Sequence, residues 1–149
     1  MDESAALVAI HSLRTQPTYQ EAEKLRRRTK GGAAQLAKGD DNSDELAAIH
    51  LLVNTWETIA TIIEGVESKD RIFEVTPVCH MHRNLKDAIA DLGIRHANVK
   101  ALSAADVPNN GYGAKFTKLA NDYDSWLVEK HKTTGYITGA CDGMYACFG

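Results

Sequence analysis

The chain has 149 residues, 44% of them hydrophobic and 25% charged, with a formal net charge of −3. That is the composition of one globular domain long enough to bury a real core, and it excludes a disordered chain. The acidic balance also removes any global electrostatic case for nucleic acid or an anionic membrane surface.

Residues 3–14 read as a first helix. Leu7, Ile10, His11 and Arg14 recur at helical spacing, and Asp2, Glu3 and Ser4 suit its N-terminus. Thr15-Gln16-Pro17 ends it. Thr18 and Glu21 then have the Thr-x-x-Glu spacing of a capping box and predict a second helix running to about Thr29. Gly31-Gly32 weakens that helix, and residues 33–38 are open between continuation and a break. Residues 39–45 form an acidic loop in which Asn42 is the expected N-cap, with Glu45 three positions on. The strongest pattern in the chain follows. Ile49, Leu52, Val53, Trp56, Ile59, Ala60 and Ile63 mark a central core helix ending near Gly65.

Residues 68–75 predict a short helix carrying Ile72 and Phe73. Thr76-Pro77 reads as an N-cap followed by proline at the first helical position. Val78, Cys79, His82, Leu85, Ile89 and Leu92 then form another amphipathic stripe, with Gly93 as the expected C-cap. Residues 98–105 read as a further short helix and residues 106–111 as a turn cluster. A last helix over residues 113–131 places Phe116, Leu119, Ala120, Tyr123 and Leu127 on one face, with Trp126 beside it. The prediction is an all-α bundle of about five to six helices over residues 1–132, followed by an irregular glycine- and aromatic-rich tail over residues 133–149.

Contiguous apolar runs are far shorter than the roughly 20 residues of a membrane span, so no membrane helix is expected. The acidic start argues against a secretory signal. Three sparse cysteines, Cys79, Cys141 and Cys147, fit reduced thiols and a cytoplasmic location better than a disulfide framework.

From Thr18 to Trp126 the chain resembles a family of bacterial and phage proteins grouped as a domain of unknown function. The matching residues are Leu52-Val53-Asn54-Thr55-Trp56-Glu57-Thr58-Ile59-Ala60 with Glu64-Gly65-Val66, then Ile72-Phe73-Glu74. Pro108-x-x-x-Tyr112-x-x-x-Phe116-x-x-Leu119-Ala120 follows, ahead of Trp126. These features are hydrophobic rather than chemical. The resemblance implies a helical module and a mobile-element or phage setting, and it supplies no catalytic residues. Members of the family often begin with membrane helices, which are not read here.

Several clusters invite a functional reading. Lys24, Arg26, Arg27, Arg28 and Lys30 form the densest run of charge, suited to phosphate or nucleic acid by counterion release, or else a solvated helix face. Asp40, Asp41, Asp44 and Glu45 lack the alternating ligands and glycine of a calcium loop; they read as helix capping or as a negative patch for a basic partner. Cys79 and His82 share a helix face, with His80 pointing away. A zinc site would need Cys141 and Cys147 as well, and their spacing does not fit one. His11 and His50 lack any accompanying nucleophile motif and read as helix-face histidines. Trp56 and Trp126 read as core. In the tail, Tyr136, Tyr145 and Phe148 are candidates for docking on a partner or a second copy.

No metal, cofactor or catalytic motif emerges. The expected function is therefore a non-enzymatic protein-interaction module. In the phage setting it becomes an inhibitor that binds and blocks a bacterial defence or regulatory complex. The partner is a protein, with a homodimer through the tail as one version and no membrane involved. The second reading is a nucleic-acid or nucleotide binder using residues 24–30.

Overall fold

A computed structural model describes residues 1–99 and 111–130. Seven helices and no strands are found among the described residues: α1 (Glu3–Arg14), α2 (Pro17–Arg28), α3 (Gly32–Leu36), α4 (Asp44–Glu64), α5 (Asp70–Val75), α6 (Val78–Val99) and α7 (Ala114–Lys130). The fold is all-α, as the periodicity predicts. The segments at residues 98–105, 106–111 and 133–149 lie wholly or largely outside the described residues.

α4 is the hub, packing against α1, α2, α3, α6 and α7. α6 closes the far side against α3 and α7, and α5 lies on α1. The predicted stripe of α4 is the centre of the core. Ile49, Leu52, Val53, Trp56, Ile59 and Ile63 are fully buried. Each such side chain contributes about 1.5–3 kcal/mol by leaving water. The exposed side of α4 carries Thr58 and Thr61, whose hydroxyls donate to the carbonyls of Asn54 and Glu57 one turn back. By length and composition α4 is apolar enough to cross a membrane, which a count of contiguous apolar residues misses. Here its stripe is covered by five neighbouring helices.

Four local expectations are corrected. α2 begins at Pro17 with Gln16 at its N-cap and no side-chain cap, so Thr18 lies inside the helix and the Thr18–Glu21 capping box does not form. The fixed φ of Pro17 starts the helix two residues early. Ser43, not Asn42, caps α4, its Oγ accepting from Leu46 N–H at 3.1 Å. Asn42 instead takes the left-handed turn before the cap at φ 67°, which asparagine tolerates better than most residues. α6 starts at Val78 rather than Pro77, and Pro77 lends its carbonyl to the first helical bond, from Met81. Gly93 does not end α6, which continues to Val99 with Gly93 buried within it.

Residues 33–38 resolve into the separate short helix α3, because Gly31 and Gly32 both take positive φ and break the chain's direction after α2. The loop after α3 is held from across the fold. Arg95 of α6 donates to the carbonyls of Ala37 and Gly39 and, at 2.6 Å, to the Asp41 carboxylate.

Candidate interaction groove

The inward face of α2 is Tyr19, Ala22, Glu23 and Arg26, spaced three and four residues apart. Three of these side chains carry polar groups, yet Tyr19 and Glu23 are each only 3% exposed. They survive burial because they satisfy one another. The Trp56 indole N–H donates to the Tyr19 hydroxyl at 3.0 Å, and that hydroxyl donates to Glu23 Oε1 at 3.1 Å. Arg26 donates through Nε and Nη2 to Glu23 Oε2 at 2.9 and 2.7 Å. Arg14 of α1 completes the cluster, its guanidinium 5.7 Å from the Trp56 ring centre. Burial first, then the Glu23 carboxylate, pushes the Tyr19 phenol up to about 12, so it remains a donor at neutral pH.

This network divides the predicted basic run. Arg26 is a structural partner of Glu23, with its side chain 12% exposed. Arg27 is exposed and reaches the same carboxylate at 3.8 Å. Lys24 is exposed and pairs with Glu21 at 3.4 Å. Arg28 and Lys30 stand exposed at the end of α2. The acidic run is divided too. Asp41 is engaged by Arg95, while Asp40, Asp44 and Glu45 are exposed.

Between α2 and α4 lies an open groove of about 530 Å³. The helices run antiparallel: Tyr19 near the start of α2 meets Trp56, while Arg28 near its end shares the groove with Asp44 at the start of α4. The floor is apolar, from Pro17, Ala22 and Leu25 on one side and Ala48 and Leu51 on the other. Glu21, Arg28 and Asp44 bring charge to its lining. The sequence places Arg28 and Asp44 in surface clusters and does not reveal the groove between them. Half-buried Leu25 and Leu51 were the available signal, since neither completes the core stripe of its own helix.

A second recess of about 600 Å³ lies on the other side of Asp44, bounded by Asp41, Ser43 and His50. His50 Nδ1 and the Tyr112 hydroxyl are hydrogen-bonded at 3.0 Å. Burial pushes the Tyr112 phenol up to about 12, with help from Glu57. Burial, then Arg95 and His96, hold the His50 imidazole below its usual 6.5. The folded chain therefore binds this proton less readily than the unfolded chain. Its contribution to stability is full above pH 6.5 and is lost as pH falls through the lowered folded value. Replacing His50 with glutamine should flatten the stability curve between about pH 7 and pH 5 in urea titrations. An unchanged slope would assign the acid sensitivity to another group.

Cys79 is buried, and His82 packs edge-on to Phe116 at 5.3 Å. His80 turns away to Asn84 at 3.2 Å. No group of three metal-ligating side chains occurs among the described residues. Cys141, Cys147, Tyr136, Tyr145 and Phe148 lie outside them. His11 is exposed on α1. Trp56 is fully buried, and half-buried Trp126 packs on the core with its indole donating to Asp70 at 2.7 Å. No family model, curated protein or solved structure matches this chain.

Proposed function

We propose that the chain is a non-enzymatic protein-interaction module that engages its partner through the α2–α4 groove. The observation that carries this reading is an open groove between two helices, lined by Pro17, Ala22, Leu25, Ala48 and Leu51 and by the charges of Glu21, Arg28 and Asp44. Such a trough suits an amphipathic helix, whose apolar side chains fill the floor while polar flanks meet the rims. In the mobile-element setting that the resemblance implies, the partner belongs to a bacterial defence or regulatory complex, and the module acts by occupying it.

The test is capture from host lysate by the tagged chain and by an Ala48→Arg variant, each with and without nuclease. Ala48 is only half-buried, so the variant should keep its helical circular dichroism while filling the groove. A stoichiometric protein that resists nuclease and is lost with the variant is the expected result. A partner held equally well by the variant would reject the groove.

The second reading, nucleic-acid binding, is supported by Arg27, Arg28 and Lys30, which remain on the exposed end of α2. It requires steeply salt-dependent binding that disappears when those three become alanine.

A further inference from the structure

We draw no further inference here: the strongest candidate, the largely apolar recess of about 610 Å³ between α6 and α7 lined by Ile89, Gly93, Ile94 and Tyr112, carries nothing because nothing in the structure shows what covers it.

Discussion

Replacing Glu23 with alanine should lower the free energy of unfolding by about 3–5 kcal/mol, a large share of the about 5–15 kcal/mol available to a domain. Among the described residues the carboxylate is the acceptor for three donor groups: the Tyr19 hydroxyl, Arg26 Nε and Arg26 Nη2. Its removal strands a guanidinium whose side chain is only 12% exposed. Relief from desolvating the carboxylate offsets part of that loss, but breaking one side of a buried pair leaves the other side uncompensated. A double variant, Glu23→Leu with Arg26→Leu, should recover part of the stability, because the apolar pair needs no partners of its own, while the buried Tyr19 hydroxyl still loses its acceptor. Urea unfolding of the three proteins at neutral pH decides the matter. A cost below about 1 kcal/mol for Glu23→Ala would mean that water reaches the site and the pair behaves as a surface one. The same experiment bears on function. If Arg26 supports the fold, alanine scanning of residues 24–30 for nucleic-acid binding must treat loss at Arg26 as possible unfolding.

Replacing Gly113 with alanine is the second large effect, expected at about 2–4 kcal/mol. Gly113 precedes α7 at φ 69°, a conformation that costs an L-residue about 1–2 kcal/mol. A Cβ there would also stand 2.6 Å from Ile89 Cγ2, so α6 or its side chain must move. Gly111 separates the two causes. It has φ 85° and no neighbour within 4 Å of a Cβ, so Gly111→Ala should lose only the backbone component. Thermal unfolding should rank wild type above Gly111→Ala and Gly111→Ala above Gly113→Ala. Equal losses would show that α6 and α7 are not tightly apposed at Ile89.

The helices and the core were largely legible in the sequence, because α4 and α7 repeat large apolar residues at helical steps over many turns. The boundaries were less so. Thr18 and Asn42 both have the chemistry of caps, but Pro17 already starts α2 from Gln16, and Ser43 rather than Asn42 takes the cap of α4. Gly93 looked like a stop because glycine is a poor helix former, and packing of α6 against α3 and α7 overrides that preference. The groove was illegible for a different reason. It is a property of the space between two helices, and no spacing within either predicts which faces will meet. The Glu23 network is hidden by its polarity. Periodicity in apolar residues passes over an inward face that is half polar, although Tyr19 and Glu23 stand at an i,i+4 spacing that lets them bond.

Two adjacent residues of α4 face different layers. Trp56 holds α2 through Tyr19, and Glu57 reaches across to α7, its carboxylate accepting from the Phe116 N–H at 3.0 Å. Because Gly113 has no side chain, α7 borrows this acceptor from a helix 59 residues back along the chain. Amide exchange should therefore find no separately opening C-terminal unit in α7. Its slowest protons should exchange together with those of α4 and α2, in one cooperative opening of the whole domain.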